Sequence, residues 1–231
     1  MKLLAATACL LVWWLGVCAA QEADYTLPAA RAIYNKADNA VSESWSQTLS
    51  TLRGVRLQEA KAQHQAWLLF RKAEAERRAA KASPPLPPAQ SPTYFITAAR
   101  LSQDRLNWLR RVQAGTPEPL TGLWSDGQGS FLRVVALDGG LYFNFRVARK
   151  KPVSVSAFAG QVVGEGEAYR FTPQAPRGTE GALTWTRQGL YLQVQGGTGF
   201  EGRYGKVASL DEATQAAVVQ AGTTGQPLAE P

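Results

Sequence analysis

Cysteine is almost absent from this chain, and so are histidine and methionine: 231 residues contain two, one and one of them. Both cysteines, Cys9 and Cys18, fall in an apolar N-terminal run, so removal of that run leaves no thiol. That excludes a disulfide framework, a thiol nucleophile and a thiolate metal site, and leaves the hydrophobic core to hold the fold. The lone histidine, His64, cannot make a histidine metal set. With no Gly-x-Ser-x-Gly run in the chain, it also lacks the partners of a catalytic triad. Glu165 and Glu167 flank Gly166, which is a turn pattern and not a glycosidase pair. No Walker-type glycine loop with its lysine is present. The expectation is a protein that is not an enzyme and uses no cofactor or metal.

What is there begins with a leader. Met1-Lys2 is followed by an apolar run to Val17, then Cys18-Ala19-Ala20 before Gln21-Glu22. One positive charge, a short apolar stretch and small exit residues read as a secretory signal over residues 1–20, cleaved after Ala20. The run is too short for a stable transmembrane helix. Leu15-Gly16-Val17-Cys18 is near a lipobox, so lipidation of Cys18 is the alternative and the one route to a membrane anchor. The expected location is periplasmic, after secretion across the inner membrane. Nucleic acid is then not an expected partner.

Charge is unevenly placed. Residues 21–112 carry 14 Lys and Arg against 8 Asp and Glu, a net +6, while residues 113–231 carry 10 of each. The densest basic run holds Arg71, Lys72, Arg77, Arg78 and Lys81. Lys72, Arg77, Arg78 and Lys81 are the candidate basic interaction surface, able to attract an anionic partner if they cluster. A solvated helix face explains them equally well.

Periodicity divides the chain into α and β halves. Pro28 suits a first helical position, and Tyr34, Ala37, Val41, Trp45, Leu49 and Leu52 form an apolar stripe over a helix 28–52, with Gly54 as its stop. A second helix runs to about residue 81. On it Leu57, His64, Trp67, Leu68 and Arg71 recur on one face. Four prolines in Ser83-Pro84-Pro85-Leu86-Pro87-Pro88 predict a stiff polyproline strap within residues 83–92. Ser91-Pro92 reads as an N-cap and first turn, opening a third helix to about residue 112. Beyond a linker at 113–120, the period becomes alternating. Residues 131–137 and 141–147 read as a hairpin about Asp138-Gly139-Gly140, with more strands at 153–158, 168–172, 182–186 and 190–195. Ser209-Leu210-Asp211-Glu212 fits a capping box, opening a short helix ended by Gly222, and the tail 223–231 is polar. The predicted class is α+β: a three-helix antiparallel bundle over 21–112, then an antiparallel β-barrel or sandwich over 121–208, then a short helix and tail over 209–231.

The run His64-Gln65-Ala66-Trp67-Leu68-Leu69-Phe70-Arg71 resembles the signature of the lysozyme-inhibitor LprI-type N-terminal domain, close to Gln-x-Ala-Trp-x-x-aromatic-Arg. Trp67, Phe70 and Arg71 match it, and Tyr34 stands where that family has an Asn-x-x-Tyr-like element. The resemblance covers roughly residues 24–112. His64 replaces the usual glutamine. Ala75 stands near where a cysteine commonly follows, with none to answer it near residues 98–100, so the family's usual disulfide is missing. The resemblance marks Tyr34, His64, Trp67, Phe70 and Arg71 as the family-motif residues. In the β half, Gly122-Leu123-Trp124 resembles the Gly-x-Trp that opens lipocalin-type barrels. Phe200-Glu201-Gly202-Arg203-Tyr204-Gly205-Lys206 resembles the closing strand of β-domains that follow LprI-type helices in other exported proteins.

Three functions follow as expectations. The resemblance implies an exported inhibitor of a lysozyme-like muramidase, acidic or neutral because a +6 domain repels a basic enzyme. The charge asymmetry implies an envelope scaffold holding an anionic polymer. Gly122-x-Trp124 implies capture of a small apolar ligand by the β-domain.

Overall fold

The structure, a computed structural model, describes residues 25–82, 86–116, 119–137, 140–150, 153–162, 168–171, 183–188, 190–195 and 201–228. The leader with Cys18 and its cleavage point, Pro84 and Pro85, the Asp138-Gly139 turn, the Glu165–Glu167 turn and Phe200 lie outside them. The class is α+β, with helices in the N-terminal half and a curled antiparallel sheet after them. Among the described residues, three helices precede the sheet and a fourth follows it.

Helix α1 spans Leu27–Thr51, and no Gly or Pro interrupts it beyond Pro28 in its first turn. Gly54, at φ 56°, takes the left-handed conformation that ends α1 and opens α2, Gly54–Ala82. The strap differs from the extended segment expected. Pro88–Gln90 is a 3-10 turn closed by Gln90 N–H to the Pro87 carbonyl at 2.8 Å and Ser91 N–H to Pro88 at 3.0 Å. Two residues without proline, Ala89 and Gln90, have N–H groups to donate, and a local turn satisfies one of them at once. Ser91 then starts α3, Pro92–Ala114, through its backbone carbonyl, which accepts from Tyr94 N–H at 3.2 Å. Its hydroxyl is fully buried and makes no hydrogen bond among the described residues, unlike the side-chain cap expected. Gly115, at φ 66°, ends α3, and Thr116 N–H reaches back to the Arg111 carbonyl at 3.0 Å.

The strands are β1 Gly122–Ser125, β2 Phe131–Leu137, β3 Gly140–Lys150, β4 Val153–Val162, β5 Ala168–Phe171, β6 Leu183–Gln188, β7 Tyr191–Gln195 and β8 Gly202–Ala208. They form one sheet in the order β4-β3-β2-β1-β8-β7-β6-β5, antiparallel throughout. The expected hairpin is present, with Leu137 opposite Gly140. One face of the sheet carries the core: Trp124, Leu132, Val134, Leu141, Phe143, Phe145, Val162, Leu192, Val194 and Tyr204. These alternate along each strand as a pleat requires. Phe145 meets Phe158 and Tyr204 edge-on at 5.2 and 5.3 Å between ring centroids.

The last helix, α4 (Glu212–Thr224), packs on β2, β3 and β4. Its cap is Asp211, whose carboxylate accepts Thr214 N–H at 2.8 Å. The expected Ser209–Glu212 box therefore starts two residues too early. Its end is Gly225, at φ 70°, and not Gly222. Gly222 is a packing glycine, because a Cβ there would come 2.6 Å from the Gly160 carbonyl oxygen.

Two compact units divide the chain: residues 1–43 with 71–103, and residues 44–70 with 104–231. The division falls within each of the three N-terminal helices.

Candidate functional site

In unit one, Arg71 is the hub. Its guanidinium donates to the Asp38 carboxylate, donates to Ser102 Oγ at 3.0 Å, and lies 5.5 Å from the centre of the Tyr34 ring. Tyr34 packs against Phe95 at 5.7 Å, and Arg31 covers the Phe95 ring at 5.2 Å while donating to the Ala89 carbonyl at 2.8 Å. Burial raises the Tyr34 phenol above its ordinary value, partly offset by Arg71. Tyr34 and Arg71 are thus neighbours, one on α1 and one on α2, tied to α3 through Ser102.

The basic run turns out to be well matched by acids. Arg77 and Arg78 each donate to Glu74 at 2.8 Å, and Lys72 lies 4.0 Å from Glu76. Burial would raise the Glu74 carboxyl, but the hydrogen bonds from the two arginines prevail and hold it below the usual carboxylate range. Glu74 in turn raises the Arg77 guanidinium. Lys81 is exposed in the last turn of α2.

In unit two the other motif residues form a stack. The Trp45 and His64 rings are parallel at 4.1 Å, and His64 meets Trp67 at 5.4 Å. Arg105 Nε donates to His64 Nδ1 at 3.4 Å, and the Arg105 guanidinium sits 3.5 Å over the Trp108 ring and 5.4 Å from Trp67. Trp67 is fully buried and Arg105 is 2% exposed. Phe70 packs on Phe131 at 5.9 Å. His64 is therefore a stacking and hydrogen-bonding residue set among two indoles and an arginine. On the same helix Gln63 Nε2 donates to the Leu190 carbonyl at 2.7 Å, and the Tyr191 hydroxyl donates to the Glu59 carbonyl at 2.9 Å. Gly205 leaves room for Gln63, since a Cβ at 205 would come 2.5 Å from its Cγ.

Next to this stack lies a cleft of about 490 Å³. Its walls are residues 104–111 of α3, the lead into β1 at Pro119 and Thr121, and the end of β8 running into the start of α4. Arg105, Arg110, Arg111 and Lys206 line it, with Asp104 the one carboxylate among the described lining residues. Asp104 Oδ2 accepts Ser209 N–H at 3.1 Å, which occupies part of its charge. Arg110 and Arg111 are exposed at the rim, while Arg105 and Lys206 are buried. Sequence reading missed this site. Residues 104–111 and 206 meet only through the fold, and Arg110-Arg111 looks no different in sequence from Arg77-Arg78.

Trp124 of the Gly-x-Trp run is 2% exposed and donates from Nε1 to the Leu120 carbonyl at 2.9 Å. Among the described residues, no three His, Cys, Asp or Glu side chains are grouped to hold a metal ion, and no helix is long and apolar enough to cross a membrane. Compared with protein-family models, with curated proteins and with solved structures, the chain matches none.

Proposed function

We propose that this chain is an exported, non-enzymatic binding protein of the cell envelope that holds an anionic envelope polymer. The observation that carries the reading is the unit-two cleft, where, among the described lining residues, four cationic side chains stand beside one engaged carboxylate. Cations gathered at a low-dielectric wall focus field on an incoming anion. The signal-like leader at 1–20 supplies the export, and the envelope supplies phosphate-rich and carboxylate-rich polymers. The basic surface at Lys72, Arg77, Arg78 and Lys81 is a weaker candidate, because Glu74 and Glu76 answer much of its charge.

The LprI-type reading is kept for the helical half as ancestry of fold. In each unit α1, α2 and α3 touch pairwise, which favours a three-helix bundle: Arg71 with Asp38 and Ser102 in one, His64 with Trp45 and Arg105 and Gln113 with Thr48 in the other. The sheet order, with edge strands β4 and β5 in contact, favours a barrel over a sandwich. Trp67 and Phe70 face inward and Arg71 is engaged by Asp38, so the motif supports packing and leaves recognition to other residues.

The test is retention of purified protein on immobilised anionic envelope polymer at low and high salt. Retention at low salt that is lost at high salt is expected. Inhibition of a muramidase by protein that no polymer retains would overturn this reading in favour of the inhibitor one.

A further inference from the structure

The two motifs of the β half converge on one side chain. Gly122 opens Gly-x-Trp, and Lys206 closes Phe-x-Gly-x-Tyr-x-Lys. A Cβ on Gly122 would sit 2.3 Å from Lys206 Cε and 3.1 Å from its Nζ. The end of the lysine side chain therefore lies directly over Gly122, and a Cβ there would push it aside. Lys206 is 9% exposed, and its Nζ donates to the Pro119 carbonyl at 3.1 Å at the cleft wall. Burying a lysine costs desolvation, and the Pro119 carbonyl offsets part of that cost while fixing where the ammonium sits. Arg105 is fixed just as firmly, between Trp108, Trp67 and His64. The cleft thus has two anchored cations from different elements, α3 and β8, and two more at its rim.

From this we propose that the cleft is a phosphate site, taking a phosphomonoester or phosphodiester group together with the sugar or glycerol unit that bears it. The proposal rests on the anionic reading above and narrows it. A flat carboxylate is matched by the fork of a single guanidinium, whereas a tetrahedral phosphate accepts donors from several directions. Arg110 and Arg111 on one wall and Lys206 on another supply such directions, while Arg105, sealed behind them among Trp108, Trp67 and His64, adds its charge and no donor. A cleft of about 490 Å³ falls within the size of small-ligand sites and exceeds one phosphate, so its carrier enters too. Gly122 is then the residue that sets specificity from behind, by giving Lys206 its path.

Titration calorimetry of the full chain at low ionic strength tests this, with glycerol 3-phosphate and inorganic phosphate against acetate and glutarate. Phosphate-bearing probes are expected to bind about tenfold or more tightly than the carboxylates. Arg110→Gln with Arg111→Gln, both exposed, and separately Lys206→Met, should each weaken the phosphate probe about tenfold, with the far-UV spectrum unchanged. If Lys206→Met fails to fold, the double arginine variant alone decides. Equal binding of carboxylates would overturn the phosphate assignment while leaving the anionic reading intact. Binding of no anion would remove both. Capture only by phosphatidylglycerol vesicles, with no soluble probe bound, would overturn the cleft as the site.

Discussion

Replacing Trp67 by alanine should remove a large part of the stability of unit two. The indole is fully buried, in contact with His64 and with Arg105 over its ring. A buried Trp hides on the order of 200 Å², worth about 5 kcal/mol at ~25 cal/mol per Å². A compact unfolded chain lowers this to about 3–4 kcal/mol, and the lost ring beneath Arg105 adds about 1 kcal/mol. The expected loss, about 4–5 kcal/mol, lies in the range for buried aromatic truncations and is a major share of the ~5–15 kcal/mol of a whole domain. Urea unfolding followed by far-UV circular dichroism measures it. With a slope of ~2 kcal/mol/M the midpoint should fall by about 2 M. Trp67→Phe, which keeps a ring at the same place, should lose less than half as much. A loss under about 1.5 kcal/mol in the alanine variant would refute the claim that this indole closes the helical packing.

Three further outcomes are expected. Gly205→Ala should cost about 1–3 kcal/mol by driving a methyl into Gln63, and pairing it with Gln63→Ala in a double-mutant cycle should show less than additive loss. Glu74 has its carboxyl lowered in the folded state, so its contribution is present above the unfolded value and is lost as pH falls through the folded one. An acid titration of stability should therefore decline below about pH 4.5, and Glu74→Gln should flatten that decline. Tyr204 is shifted the other way. Burial, with the Asp126 charge, raises its phenol, so its contribution is complete below the unfolded value near pH 10 and erodes above it; absorbance at 295 nm should show this phenol resisting ionisation until the sheet unfolds.

How much of this could be read from the chain depends on range. The helices announce themselves because a 3.6-residue period, Pro28, Pro92 and Gly54 are all local signals. The β2–β3 hairpin is equally local. β1 and β8 were recognised only as motifs, since a four-residue strand is too short to show alternation and β8 has two glycines. The α4 boundaries misled because Ser209 and Asp211 both offer a cap, and Gly222 and Gly225 both offer a stop. Only the three-dimensional approach of Gly222 to Gly160 decides between them. Of the motif residues, Trp67 and Arg71 were legible as packing groups. The partners of Arg71, Asp38 and Ser102, lie 33 and 31 residues away and were not. The cleft was invisible for the same reason.

The sheet order carries a kinetic consequence. β1 to β4 can assemble as a meander while the chain is being made, and β5 to β8 can do the same, but these halves are joined through the β1–β8 seam, where Ser125 pairs with Gly205. Closing a loop of about 80 residues is slow relative to helix formation. Refolding should therefore show early helical signal and a later phase in which the seam zips, with Lys206 reaching its berth over Gly122 only in that final phase.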